Sequence, residues 1–177
     1  KAEDANLFIL NGLGLEEKIL SSLRNVTNTK VVFASEGVEP IPIAGEDEPD
    51  PHAWLDVRWV ITYVKNIYDA LITIDPDNAK YYLTNTDVYI EQLIRLDQLI
   101  KDSVLQIPED NRVIILSENA MKYFGEAYGF QTEGIWELNS HEEGTPQQIS
   151  RIVDIVKEQQ IPALFIETTV DSRYMDT

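Results

Sequence analysis

The stretch GEDEPDPHAWLDV, residues 45–57, sets one of the chain's two histidines between a run of carboxylates and the start of a helix. A neutral imidazole is the commonest metal ligand, and carboxylates beside it can orient the ring or share the ion. His52 is therefore a candidate metal ligand, with Asp50 and Asp56 flanking it and Pro49 and Pro51 stiffening its loop. The alternative is a polar loop histidine with no ligand, since histidine is often just a surface residue. Glu118 follows the apolar run RVIILS, and Glu167 ends ALFIE. Open α/β sheets bind ligands beyond the carboxyl ends of their strands, which would place both acids at a site. Either can equally serve as an acid at the start of a following helix. His141, in NSHEEGTP, reads as a surface residue among the solvated neighbours Ser140, Glu142 and Glu143.

Other chemistries find no support. The chain has no cysteine, which removes disulfides and thiolate metal sites. NGLGLEEK has neither the spacing nor the lysine of a phosphate-binding loop, and its NGLG reads as a strand-to-helix turn. Ser117, in LSENA, lacks the flanking glycines of a nucleophile elbow. A net charge of −17, with 14 basic residues against 31 acidic ones, argues against nucleic acid, whose phosphates are held by Lys and Arg. Such acidity either solubilises a surface or attracts cations.

These candidates need elements to position them. NLFIL (6–10), KVVFA (30–34), RVIILS (112–117) and ALFIE (163–167) are short apolar runs of the kind found in parallel strands buried on both faces. Amphipathic helices lie between them, so the fold class is α/β. Asp56 can cap a helix whose apolar residues run from Val57 to Leu71 at three- and four-residue intervals. Thr145, Pro146 and Gln148 form a capping box with proline at the first helical position. Gly129 marks the end of the helix in NAMKYFGEAYG.

Residues 77–107 contain no Gly or Pro and carry Tyr89, Leu93, Leu96, Ile100 and Val104 along one stripe. At 1.5 Å per residue such a helix would be on the order of 45 Å long. It reads as a strut, bounded by Asp75-Pro76 and Pro108, between two parallel-sheet α/β lobes over 1–76 and 108–177. No apolar run approaches the roughly 20 residues needed to span a bilayer. The sequence opens on KAEDAN, without a methionine, and is expected to be a processed or trimmed form.

DPHAWLDV, LSENAMKYFGEAYGF, GIWELNSHEEGTPQQI and ALFIETTVDSRYM resemble, in that order and at fitting intervals, the metal-binding receptors of bacterial ABC importers for manganese, zinc or iron. EDANLFILNGLGLE fits the same family at the start. The resemblance implies two lobes joined by one long rigid helix, with the metal held between them by four side chains. The DPHAW histidine is one of these, matching His52, and the glutamate of LSENA matches a second at Glu118. Glutamate at that place implies the manganese or iron type, and histidine there would imply zinc. Ligand softness points the same way, since carboxylate oxygen suits Mn²⁺ and imidazole suits zinc. The family's upstream histidine and its last aspartate fall outside the motifs present. The chain is thus expected to be the middle of a receptor roughly half again as long, and Asp171 is not that aspartate.

The expected function is an extracytoplasmic solute-binding protein, periplasmic or lipid-anchored at the cell surface. It would capture Mn²⁺, with Zn²⁺ or Fe²⁺ as alternatives, and hand it to a cognate ABC permease. It would be a monomer without catalytic activity, touching the membrane only through the permease or a lipid anchor outside the chain. Two rival readings are a metal-dependent hydrolase built on His52 and Glu118, and a surface adhesin sharing the fold.

Overall fold

A computed structural model describes residues 4–26, 29–138, 144–168, 170, 171 and 173. In chain order the elements are β1 (Leu7–Leu10), α1 (Glu17–Val26), β2 (Lys30–Phe33), α2 (Val57–Ile74), α3 (Ala79–Val104), β3 (Val113–Glu118), α4 (Lys122–Tyr128), β4 (Gln131–Trp136) and α5 (Pro146–Gln159). The chain divides into two compact units, one of residues 1–40 and 48–99 and the other of residues 41–47 and 100–177. Among the described residues no helix is long and apolar enough to cross a membrane.

In the first unit β1 and β2 pair in parallel, Leu7 opposite Lys30 through Leu10 opposite Phe33. With one strand neighbour each among the described residues they are only partly buried, and Ile9 keeps 40% of its surface exposed, against the expectation of strands covered on both faces. After β1 the NGLG turn forms as expected. Gly12 and Gly14 take φ of 90° and 83°, values that favour glycine, and the Glu16 carboxylate accepts from the backbone N–H of Asn11 and Gly12 at 2.6 and 3.0 Å. α2 starts where Asp56 accepts from the Arg58 N–H at 2.8 Å, a side-chain N-cap that satisfies one of the orphan donors of the first turn. Its buried face carries Val57, Tyr63 and Ala70. Asn66 on α2 donates to the carbonyls of Ala34 and Glu36 and so ties down the chain after β2.

The expected 77–107 helix begins with a tight turn at Pro76–Asn78 and continues as α3 over Ala79–Val104. Along its stripe Leu93 and Val104 are buried, while Tyr89 and Leu96 stay 48% and 44% exposed.

In the second unit β3 and β4 pair in parallel, with Val113 opposite Gln131 and Glu118 opposite Trp136. Ile115, Ile135, Trp136 and Ile152 form its core, flanked by Val113, Ile149, Val156 and Leu164. Ile43 is 2% exposed, and the neighbouring Ile41 N–H donates to the buried Tyr123 hydroxyl at 3.1 Å. α4 ends at Gly129 with φ 74°. The α5 capping box is complete: Thr145 accepts from Gln148 N–H, and the Gln148 side chain accepts from Thr145 N–H.

Two strand expectations change. The segment ALFIE is not a strand. It lies beside β3 through one backbone bond, Phe165 N–H to Ile115 O at 2.9 Å, too few to make a ladder, and Phe165 stays 54% exposed. The partner of β3 is β4 instead, a segment whose Thr132, Glu133 and Gly134 interrupt the apolar run that a buried strand would show. Gly134 is there because a Cβ would sit 2.4 Å from the backbone nitrogen of Asn119.

Candidate metal centre

His52 lies in the first unit, on the loop that the Asp56 cap connects to α2. Its ring Nδ1 stands 2.8 Å from Asp50 Oδ1, and its backbone N–H donates to the same oxygen at 2.9 Å. Asp50 is completely buried and the His52 side chain 13% exposed. The loop then makes one helical turn, Ala53–Leu55, closed by the Leu55 N–H donating to His52 O at 3.1 Å. Trp54 on this turn meets the imidazole edge-on, with ring centres 5.1 Å apart. Asp56 is engaged with Arg58: besides capping α2 it takes a two-pronged ion pair from the guanidinium, with contacts of 2.6 to 3.0 Å.

Asn11, at the end of β1, holds the loop from outside. Its amide nitrogen donates to Pro51 O at 3.1 Å, and its amide oxygen accepts from the Tyr63 hydroxyl at 2.9 Å. Neither residue stands out in the sequence, because the contacts join segments 40 and 52 positions apart. The nearest available signal was the asparagine immediately after a strand, a common turn residue.

Glu118 lies in the second unit as the last residue of β3. It is not the cap of the following helix, since the residue at the N-cap of α4 is Met121. Its carbonyl accepts from Ala120 N–H at 2.8 Å, which turns the chain sharply off the strand. Glu167 is brought to the same strand end, with Oε1 accepting from the Glu118 backbone N–H at 3.4 Å. The other oxygen of Glu167 is buried without a hydrogen bond among the described residues, as are Ser117 Oγ and Asn119 Oδ1. Beside them Glu137 binds both the Asn119 amide, at 2.9 Å, and the Lys122 ammonium, at 2.5 Å.

Asp171 is engaged elsewhere. Arg173 binds it with backbone and guanidinium, and these bonds hold its carboxyl down at about 2. His141 lies outside the described residues. A cavity of about 320 Å³ opens at the carboxyl ends of β1 and β2, lined by Gly12, Glu16, Phe33 and Ser35, and neither His52 nor Glu118 lines it. Both oxygens of Glu16 are already occupied by backbone amides there. Among the described residues no group of three or more His, Asp or Glu side chains is arranged to hold a metal ion. An imidazole nitrogen and a carboxylate oxygen are each donor types that suit first-row divalent ions.

The model of a family described as zinc-uptake complex component A, periplasmic, matches residues 1–177. The manganese-binding lipoprotein MntA of Halalkalibacterium halodurans is 53% identical over 174 residues, which cover 98% of this chain and 58% of that protein. The metal ABC transporter substrate-binding lipoprotein FimA of Streptococcus parasanguinis is 41% identical, over 100% of this chain and 60% of that protein. Among solved structures, the periplasmic zinc binding protein TroA from Treponema pallidum superposes with a TM-score of 0.90 at 26% identity, over 99% of this chain and 64% of that one. An Mn-bound periplasmic metal binding protein from Candidatus Liberibacter asiaticus gives 0.84 at 28%, over 98% and 65%. The chain thus spans about 60% of the length of these relatives.

Proposed function

From the premise that the chain belongs to the zinc-uptake complex component A family, we propose that it is part of an extracytoplasmic receptor that captures Mn²⁺ as cargo for an ABC permease. Zn²⁺ and Fe²⁺ are the alternative ions. The observation that carries the reading is the family match along residues 1–177, joined by a relative 53% identical whose name is a manganese-binding lipoprotein. His52 and Glu118 are the ligands we assign, one nitrogen and one oxygen donor. The buried carboxylate behind His52 supports the first, and the place of Glu118 at the carboxyl end of β3 supports the second.

In this reading the receptor acts as a monomer and does no catalysis. It works in the periplasm or from a lipid anchor at the cell surface. Residues 1–76 and 108–177 are assigned to its two lobes and 77–107 to the connecting helix, an assignment supported by the length of α3. Specificity comes from ligand type: a carboxylate at Glu118 favours Mn²⁺ relative to a second imidazole, although zinc has the greater intrinsic affinity for most sites.

The test is calorimetric titration of the full-length protein with Mn²⁺ and Zn²⁺, beside its His52→Ala variant. Removing one of a few donors is expected to weaken binding at least as much as any other single change in the chain. Unchanged affinity would remove His52 from the site.

A further inference from the structure

We propose that Asp50 is the positioning residue of the metal site, fixing His52 in the tautomer that carries its proton on Nδ1 and its lone pair on Nε2, so that Nε2 is the atom offered to the ion. This rests on the assignment of His52 as a ligand. Asp50 Oδ1 lies 2.8 Å from His52 Nδ1 and 2.9 Å from His52 N. Asp50 Oδ1 already acts as an acceptor toward the His52 backbone N–H, and accepting the shorter contact as well puts that proton on the ring. A neutral imidazole has a single N–H, and placing it on Nδ1 leaves the metal-binding lone pair on Nε2. In water a free imidazole side chain prefers the opposite arrangement. The protein therefore selects the less common form.

Rotating the ring to offer Nδ1 instead would withdraw a hydrogen bond from a carboxylate with no solvent exposure. Leaving a buried carboxyl oxygen without that donor is costly. The backbone under the ring is held as well. Asn11 grips Pro51 O, Tyr63 grips Asn11, and the 53–55 turn closes on His52 O. His52 is thus fixed in backbone position and in tautomer before any ion arrives. Asp50 acts through the histidine, since the oxygen that faces His52 accepts two hydrogen bonds from it.

The experiment has two readouts. First, ¹⁵N-resolved NMR of the imidazole in the metal-free chain, at about pH 8.5 where a free histidine is neutral, is expected to show His52 protonated on Nδ1. Asp50→Ala is expected to move it to the Nε2–H form, and Asp50→Asn, which keeps an acceptor oxygen, to restore the Nδ1–H form in part. Second, the full-length protein carrying Asp50→Ala is expected to lose about 10- to 100-fold in Mn²⁺ affinity, with Asp50→Asn in between. A wild-type His52 protonated on Nε2, or an Asp50→Ala spectrum still showing Nδ1–H, overturns the proposal whatever the metal data. Should Asp50→Ala fail to fold, the wild-type and Asp50→Asn spectra decide. Failure of the ligand assignment looks different: the tautomer follows Asp50 as expected while His52→Ala leaves metal affinity unchanged.

Discussion

Tyr63 on α2 donates its hydroxyl to Asn11 Oδ1 at the end of β1, at 2.9 Å across 52 positions of sequence. Through Asn11 this bond reaches Pro51 O, so β1, α2 and the His52 loop meet at one side chain. Tyr63 is 8% exposed, and Tyr63→Phe keeps its packing while leaving the amide oxygen of Asn11 without its donor. The expected cost is about 1–2 kcal/mol. It should appear in urea unfolding as a lower midpoint with an unchanged slope. A midpoint equal to wild type would show that the bond contributes nothing to holding the loop.

Glu118→His in the full-length protein exchanges a hard oxygen for an imidazole nitrogen. The preference for Zn²⁺ over Mn²⁺ is expected to rise. Competition titration of the two ions measures it, and an unmoved ratio would exclude Glu118 as a ligand.

Gly134→Ala places a methyl group 2.4 Å from the backbone nitrogen of Asn119, which no side-chain rotation relieves. A destabilisation of about 3 kcal/mol is expected from such overpacking. Gly129→Ala meets no atom within 4 Å and pays only for its left-handed backbone, about 1 kcal/mol. Thermal melts of the pair should therefore rank Gly134→Ala as the more damaging change, and the reverse order would contradict the close approach.

Asp75 accepts hydrogen bonds from the Tyr82 hydroxyl at 2.7 Å and the Asn78 amide at 2.8 Å, and these hold its carboxyl below the usual 3.8. Because the folded value is depressed, the contribution to stability is complete above 3.8 and is lost as pH falls through the folded value. Tyr82→Phe removes the larger of the two causes. Carboxyl NMR titration is expected to show Asp75 moving back toward 3.8, and no movement would refute the assignment.

Leu93→Pro inserts a proline into α3 at a residue 5% exposed. Loss of one helix hydrogen bond and a clash with the preceding turn should cost about 3 kcal/mol or more. Circular dichroism should show reduced helicity and a lower melting temperature. Wild-type values for both would mean that α3 is not continuous through this point.

The parts legible in the sequence were those with local causes. Asp56 caps a helix two residues from its hydrogen-bond partner, and Thr145 reaches only to Gln148, so spacing alone disclosed both. His52 stood out because a histidine among acids is chemically conspicuous; of its two neighbouring carboxylates, Asp50 lies against its ring and Asp56 caps the following helix. Strand identity was harder. ALFIE has the apolar composition of a strand, yet pairing is decided by a neighbour, and β3 takes its ladder from the more polar QTEGIW. Asn11 and Tyr63 escaped notice for a similar reason, since nothing near either residue announces the other.

The lone backbone bond between Phe165 N–H and Ile115 O has a consequence for solvent exchange. Among the described residues 162–168 no other amide donates to the backbone, so in heavy water Phe165 should be a slow-exchanging island between fast neighbours. Its opening requires breaking one hydrogen bond and not a ladder. Its protection should therefore collapse at denaturant concentrations that leave the laddered amides of β3 and β4 protected.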